Sequence, residues 1–401
     1  MSERSMRRRN FVCAAISLAL VAIPGCGDGN RDPGPVAIDV SILDSGNYPT
    51  IPRDLDKLRL TRTGAFLESI RIGNAALLPF EIDGRYAFQR LVTPARPVTS
   101  DLPPSIASLT RDEYRELAQG VVAGWGASAE RRPHSTLTSS VETVIIRFSD
   151  AAQAEKTVRL LADRQQANAP GEPATIPGFP NARAKITAGK DYLDAWLTDD
   201  TTALYVHAND PMNEPFDPAP FIEFTQKFFK QQLEALRQYV PTPADQLASL
   251  PIDVDGMLSR TLPLEDTQMR NGVDTSALQP SRAALHFTHF PARTSAAFTD
   301  AGVDLVADSA SLVYRARDND SATRLMAALI DQRLDGWTPA DSPPNLPGAK
   351  CFETKNKKLN LSRFAPTCFL VYDRMVATMT APNVQQLHQK TAAQYKLLAH
   401  K

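Results

Sequence analysis

Cysteine is the residue whose position in this chain most clearly indicates chemistry, because a thiol can be acylated, oxidised or bound to a metal. Cys26 follows the small residues Pro24-Gly25, and a short apolar run, Phe11 to Ile23, comes before them. Arg7, Arg8 and Arg9 precede that run, which is far shorter than the roughly 20 residues of a membrane-spanning helix. This order of segments predicts an export leader, residues 1–25, with Cys26 as the site of lipid attachment.

Ile23-Pro24-Gly25-Cys26 resembles the signal of bacterial lipoproteins, although Pro24 stands where Ala, Ser or Thr is usual. The resemblance implies acyl chains, palmitate among them, that hold Cys26 at the outer face of the cell membrane. Residues 26–35 are polar and rich in Pro and Gly, which predicts a flexible tether. The alternative is a secreted protein in which Cys26 carries no lipid. Arg8 to Val12 also resembles the core of a twin-arginine signal, so two export routes stay open.

Cys351 and Cys368 are the cysteines left after Cys13, inside the leader, and Cys26. An even pair in an oxidising compartment favours one disulfide. On the chain-entropy account, closing a loop of this length adds about 3 kcal/mol to the free energy of unfolding. Two free buried thiols are the alternative. A metal site is less favoured, because no His or further Cys stands at ligand spacing near the pair.

Histidine and acidic residues give no catalytic, metal or cofactor site at the level of sequence. His286 and His289 fall in a strand-like run, LHFTHF, where a three-residue separation directs side chains to opposite faces, so we expect ordinary strand positions. Residues 253–256 (DVDG) lack the ligands of a calcium loop and predict a turn. The remaining histidines are His134, His207, His388 and His400.

Glycine and aromatic residues mark packing positions rather than chemistry. The segment from Gly120 to Gly126 lacks the lysine of a phosphate-binding loop and predicts a closely packed helix end. The three tryptophans are expected in the core or at its rim; they are Trp125, Trp196 and Trp337. An aromatic stripe predicts a helix between a sheet and a neighbouring module, with an acyl-chain groove as the alternative. Its members are Phe216, Phe221, Phe224, Phe228 and Phe229.

The same order of elements occurs twice, which predicts an α+β fold of two related modules, each strand–helix–three strands–helix with a mainly antiparallel sheet. A polar capping pair follows the first strand of each unit, at Ser149-Asp150 and at Asp318 to Ser321. The predicted strands of the first unit are Val141–Phe148, Ala182–Ile186, Tyr192–Leu197 and Ala203–Ala208. Those of the second are Ser311–Ala316, Ala349–Thr354, Thr367–Tyr372 and Met375–Thr380.

Prolines in Val240 to Pro251 mark the boundary between the units. We therefore expect a first module at residues 36–240, which includes an N-terminal helical extension, and a second module at residues 251–401.

Several short phrases together resemble a family of uncharacterised secreted lipoproteins of mycobacteria, nocardiae and related actinobacteria. The phrases are Tyr48-Pro49-Thr50, Val121-Val122-Ala123-Gly124, Arg282-Ala283-Ala284-Leu285-His286 and Ala301-Gly302-Val303-Asp304. The resemblance covers nearly the whole chain after the leader, and it implies the compartment and the two-module organisation. It brings no activity, substrate or catalytic residue.

Charge and composition narrow the class of partner. The chain carries 44 Lys and Arg against 45 Asp and Glu, so no basic surface for nucleic acid is indicated. With 43% hydrophobic and 22% charged residues the composition is that of a globular protein. We expect a non-enzymatic envelope protein, anchored to the membrane through Cys26, that binds a partner protein or an apolar ligand. The alternative is a hydrolase acting on cell-envelope material.

Overall fold

Two antiparallel sheets with helices packed on their faces make up the computed structural model of this chain. It describes residues 38–90, 96–133, 137–187, 189, 191–212, 215–265, 268–269, 274–332, 337–354 and 365–401. The predicted leader, the tether, Cys26 and His134 lie outside these residues.

The helices of the described residues are α1 (Thr63–Ala75), α2 (Pro79–Ile82), α3 (Arg111–Leu117), α4 (Ala151–Asn168), α5 (Ala219–Leu236), α6 (Ser281–Leu285), α7 (Pro291–Ala301), α8 (Asn319–Asp331) and α9 (Val384–Ala399). The strands before α6 are β1 (Phe88–Gln89), β2 (Arg96–Val98), β3 (Val121–Glu130), β4 (Ser140–Phe148), β5 (Glu172–Ala174), β6 (Arg183–Thr187), β7 (Tyr192–Asp199), β8 (Thr202–Asn209) and β9 (Ala277–Pro280). Those after α6 are β10 (Leu305–Asp308), β11 (Ser311–Arg315), β12 (Trp337–Ala340), β13 (Lys350–Thr354), β14 (Thr367–Tyr372) and β15 (Met375–Thr380).

The two sheets have the same strand order over their repeated parts. The first sheet runs β1-β3-β4-β8-β7-β6-β5, with β2 also paired to β3, and the second runs β12-β13-β14-β15-β11-β10-β9. A helix follows β4 and β11, and another follows β8 and β15, so the predicted α+β fold of two related modules is confirmed. Each Pro-rich link adds one short edge strand, β5 or β12, that the sequence pattern did not predict. Below, the first module is the part that carries β1–β8, and the second is the part that carries β9–β15.

Side-chain caps explain why the first helix of each module begins where it does. The Asp150 carboxylate accepts a hydrogen bond from Gln153 N at 2.8 Å, and Asp318 accepts one from Ser321 N at 2.7 Å. Each cap satisfies a backbone donor that the first turn leaves unpaired. The two helices therefore start at matching places after β4 and β11, as the capping pairs predicted.

Two segments differ from the sequence-based prediction. The residues from Gly120 to Gly126 do not end a helix: α3 stops at Leu117, and Val121 already begins β3. A Cβ at Gly124 would lie 2.4 Å from the Ile145 carbonyl oxygen, so this glycine lets the strand backbones approach closely. The LHFTHF run is not a strand either. Its first residue, Leu285, ends α6, and residues 286–290 continue as a turn, because Pro280 and Pro291 bracket the segment and proline lacks the N–H of a strand ladder.

The first sheet is covered on both faces, by α4 on one side and by α1 and α5 on the other. Four phenylalanines of α5, Phe221, Phe224, Phe228 and Phe229, are at most 2% exposed and pack in the core on the α1 side of the sheet. These four members of the aromatic stripe are therefore core, whereas Phe216, before α5, is half-buried and stacks on Phe221 with ring centroids 5.5 Å apart. Trp125 and Trp196 are also buried, as predicted.

The second sheet carries α7 and α8 on one face and α9 on the other. Cys351 on β13 lies directly opposite Cys368 on β14, and the two form a disulfide, so the predicted bridge is present. It joins neighbouring strands of the second module, and both cysteines are buried.

Removal of this bridge gives a testable change in stability. We expect the double variant Cys351→Ala, Cys368→Ala to unfold in urea with a free energy lower by about 3 kcal/mol, because its unfolded chain is no longer cross-linked. The wild type with dithiothreitol should match the double variant, which the reductant should not affect. Identical unfolding midpoints for the oxidised wild type and the double variant would contradict the expected contribution.

Candidate functional site

A polar and aromatic seam joins the first module to the α6–α7 segment of the second. Arg282 of α6 donates two hydrogen bonds to the Glu81 carboxylate of α2, at 3.0 and 2.7 Å. Gln89 of β1 donates from Nε2 to the His286 carbonyl oxygen at 2.6 Å. The Trp125 ring meets the His286 and Phe287 rings edge-on, with centroids 5.5 Å apart in both cases. The residues after α6 are thereby held against the first module.

Beyond the seam, an apolar cavity of about 290 Å³ lies on the α8 face of the second sheet. We call it the apolar chamber. The strands contribute Leu312, Tyr314, Phe369 and Thr378 to its floor. Leu329 of α8 and Gln332, the residue directly after α8, also line it. The segment from Phe287 to Phe290 covers it, and Trp337 of β12 completes the lining. Three of these floor residues are direct cross-strand neighbours, since Leu312 pairs with Thr378 and Thr378 with Phe369. The chamber therefore crosses the strands rather than following one of them.

The chamber exists because α8 is shorter than its counterpart in the first module. From equivalent Asp caps, α4 has 18 residues and α8 has 13. At 1.5 Å per residue the difference is about 7.5 Å, more than one helical turn. In the first module that additional length carries Gln165, which hydrogen-bonds Trp196 Nε1 at 2.6 Å and Ala107 O at 2.8 Å over the sheet. In the second module the corresponding space is the chamber.

A second cavity, of about 470 Å³, meets the chamber at Gln279, Phe287 and Asp308, which line both. We call it the cationic mouth. The first module provides the opposite wall of the mouth. The lining residues there are Phe66 of α1, Arg96 and Pro97 of β2, Leu102 and Pro103 of the following loop, and Arg111 of α3. We call the chamber and the mouth together the crevice; the chamber is lined by the second module, and the mouth by both modules.

Among the described residues that line the mouth, Arg96, Arg111 and Asp308 carry charge. Arg96 is half-buried, and Arg111 is exposed at the first position of α3. Asp308 stands where the mouth meets the chamber and accepts a hydrogen bond from Gln279 Nε2 at 3.2 Å. The mouth therefore carries a positive balance, while the chamber behind it is mainly apolar.

A separate row of buried polar side chains crosses the first sheet on its α4 face. Lys185, Asp194, His207, Glu142 and Ser128 stand side by side on β6, β7, β8, β4 and β3. His207 Nδ1 lies 2.9 Å from Asp194 Oδ1, which also accepts a hydrogen bond from Tyr205 OH at 2.6 Å.

This row is a buried network rather than an open catalytic site. The Asp194 side chain is 2% exposed and that of His207 is 13% exposed, so a large substrate has little access. Burial raises the pKa of Glu142, and the nearby charges of His207 and Arg96 only partly oppose this. The arrangement fixes the register of the strands, because each polar group must find a partner away from water.

The other residues singled out from the sequence take structural positions. His286 is buried in the seam and His289 lines the chamber, so both lie near the crevice, where no sequence pattern predicts them. His388 of α9 hydrogen-bonds the Asp341 carbonyl oxygen at 2.8 Å. Residues 253–256 form the predicted turn, in which Asp253 accepts hydrogen bonds from Leu258 N and Ser259 N.

The described residues contain no group of three His, Cys, Asp or Glu that could hold a metal ion. Within the same part of the chain, every helix is too short or too polar to cross a membrane.

Comparisons with known proteins match both modules to one family. The family described as "Domain of unknown function (DUF7373) N-terminal" matches residues 55–252, and its "C-terminal" counterpart matches residues 257–401. Among solved structures, the chain is similar to the crystal structure of the extracellular domain of PknH from Mycobacterium tuberculosis. The two are 14% identical with a TM-score of 0.28, and the match covers 40% of this chain and 95% of that chain. No curated protein matches the chain.

The buried histidine of the seam predicts a pH dependence of stability. Burial and the nearby charge of Arg282 lower the pKa of His286 to about 3. Between the unfolded value near 6.5 and this value, the unfolded chain binds a proton that the folded protein does not. The free energy of unfolding should therefore fall by up to about 1.4 kcal/mol per pH unit as the pH is lowered below 6.5.

The variant His286→Leu should lose this part of the slope, measured by urea unfolding at several pH values between 7 and 4. His400→Leu, at an exposed residue near the C-terminus, is the matched control and should keep the wild-type slope. Parallel pH profiles for wild type and His286→Leu would show that His286 does not titrate in this way.

Proposed function

Because the chain belongs to the DUF7373 family, whose description assigns no function, we propose from the crevice that this is a non-enzymatic protein that binds an apolar ligand between its two modules. The observation that carries the proposal is the apolar chamber, a partly open cavity of about 290 Å³ that shares three lining residues with the cationic mouth. Ligand sites in proteins are concave and mainly apolar, with a few polar groups that orient the ligand. The crevice has these properties.

We further propose that the protein works outside the cytoplasm, attached to the membrane by acyl chains on Cys26. Two features support this proposal. The order of residues before Cys26 is that of an export leader with a lipid-attachment cysteine. The Cys351–Cys368 disulfide suits an oxidising compartment, where such bonds persist.

A hydrolase of envelope material is the competing hypothesis, and the His207–Asp194 pair is the observation in its favour. A histidine held by a carboxylate can serve as a general base. The burial of this pair and the apolar character of the crevice favour binding instead. Release of product from envelope lipids or peptidoglycan by wild-type protein, lost in His207→Gln, would support the hydrolase and count against the binding proposal.

Filling the chamber tests the binding proposal. The wild type should enhance the fluorescence of a neutral apolar probe, N-phenyl-1-naphthylamine, in a saturable titration with one site. Leu312→Trp puts a larger side chain into the middle of the floor and should weaken this binding by at least about tenfold, the equivalent of about 1.4 kcal/mol.

Ile51→Trp is the control, since it adds the same side chain at a position that is 68% exposed. Leu329→Trp, which fills the chamber from α8, gives a second test if the first variant folds poorly. No saturable binding by the wild type, or undiminished binding by folded variants with a filled chamber, would contradict the proposal.

The lipid anchor is tested separately. In a host that processes bacterial lipoproteins, wild-type protein should sediment with membranes, and Cys26→Ser should appear in the soluble exported fraction because it cannot be acylated. Cys13→Ser, within the predicted leader, is the matched control and should stay with the membranes. Membrane retention of Cys26→Ser would mean that another part of the chain provides the anchor.

A further inference from the structure

We propose that the ligand of the crevice is a single-chain amphiphile with a carboxylate headgroup, a long-chain fatty acid, whose hydrocarbon lies in the apolar chamber and whose carboxylate lies in the cationic mouth. This inference rests on the proposed function and adds the class, the charge and the direction of the ligand.

The shape of the chamber favours one extended chain. Asp308, Leu312, Thr378 and Phe369 follow one another across β10, β11, β15 and β14. Neighbouring strands lie about 4.8 Å apart, so this row is about 14 Å long. An apolar cavity of about 150 Å³ is enough for benzene, whereas this chamber has about 290 Å³ in an elongated form. A hydrocarbon chain that enters at Asp308 would therefore point toward Phe369 and Trp337.

The described residues that line the chamber include no Lys or Arg, although the Thr378 hydroxyl and the His289 ring also reach it. Its polar side chains include Thr294 and Gln332, which satisfy each other through a hydrogen bond of 2.7 Å from Thr294 Oγ1 to Gln332 Oε1. The far end is formed by the aromatic rings of Phe369 and Trp337. Among the described residues no Lys or Arg lines that end, so a carboxylate placed there would be buried without a guanidinium or ammonium partner, at a large cost in free energy. The charged end of an amphiphile must stay at the opposite end of the crevice.

That opposite end carries the cations. Arg96 and Arg111 both line the mouth, and a guanidinium group can bind a carboxylate through two parallel hydrogen bonds. Arg111 makes no ion pair with another described residue, and its exposed position lets it follow a headgroup. Asp308 lines both cavities, so a carboxylate should sit close to the arginines and away from Asp308, where attraction outweighs repulsion.

Binding measurements with three probes of equal chain length test the assignment: palmitate, hexadecanol and hexadecyl phosphate, each titrated below its micelle concentration into the purified protein. The wild type should bind palmitate at least about tenfold more tightly than hexadecanol, since hydrogen bonds between charged partners are the strong ones. Arg111→Ala should lower the affinity for palmitate by about tenfold and leave the affinity for hexadecanol within a factor of two of the wild-type value. Asp308→Asn should raise the affinity for palmitate, because it removes a like charge near the headgroup.

Arg159→Ala, at an exposed arginine of α4 outside the crevice, is the matched control and should not change any of the three affinities. Equal affinity for palmitate and hexadecanol, unaffected by Arg111→Ala, would overturn the headgroup assignment and leave the proposed function standing. If hexadecyl phosphate bound more than about tenfold more tightly than palmitate, the assignment of a carboxylate headgroup would be overturned. If none of the three probes bound while N-phenyl-1-naphthylamine did, the fatty-acid assignment would fail and the proposed function would stand. If N-phenyl-1-naphthylamine did not bind either, the proposed function itself would fail.

Discussion

The length of α8 is the constraint on which the rest of the site depends. A sheet face must be covered by helices or by other side chains, since exposed apolar floor residues would otherwise face water. In the first module α4 continues to Asn168 and its Gln165 completes the cover. In the second module α8 ends at Asp331, and the row from Leu312 to Phe369 keeps a cavity above it. The two modules thus share one architecture, but the sheet face under α4 is filled, whereas the sheet face under α8 keeps a cavity.

The first module is part of the site, although no such cavity is described on its own sheet. It holds the α6–α7 segment in place through Arg282, Glu81 and the Trp125 ring. It also supplies Arg96 and Arg111, the cations of the mouth. The second module alone would have an apolar chamber without a charged entrance. Neither module alone has a site with an apolar end and a charged end. The two modules together have one, because they pack against each other with different parts of their surfaces.

Local sequence signals predicted much of this fold and little of the site. The caps Asp150 and Asp318, the strand patterns after them and the matching Pro-rich links indicated two related modules, and the even cysteine pair indicated the bridge. The crevice depends on where α8 stops and on how the modules dock, which no local pattern encodes. Arg111 was not singled out in the sequence, and the LHFTHF run, which carries Phe287, was expected to hold ordinary strand positions. The sequence signal that could have predicted the chamber is the difference in length between α4 and α8, the first helices of the two modules.

The central claim is that the crevice between the modules holds a lipid in the native protein. Native mass spectrometry of protein isolated from its own host, followed by extraction and identification of what it carries, tests this most directly. The account predicts one single-chain lipid per protein molecule, retained under gentle ionisation and released on unfolding. Protein that arrives free of any bound lipid, while its acyl anchor and disulfide are intact, would contradict it.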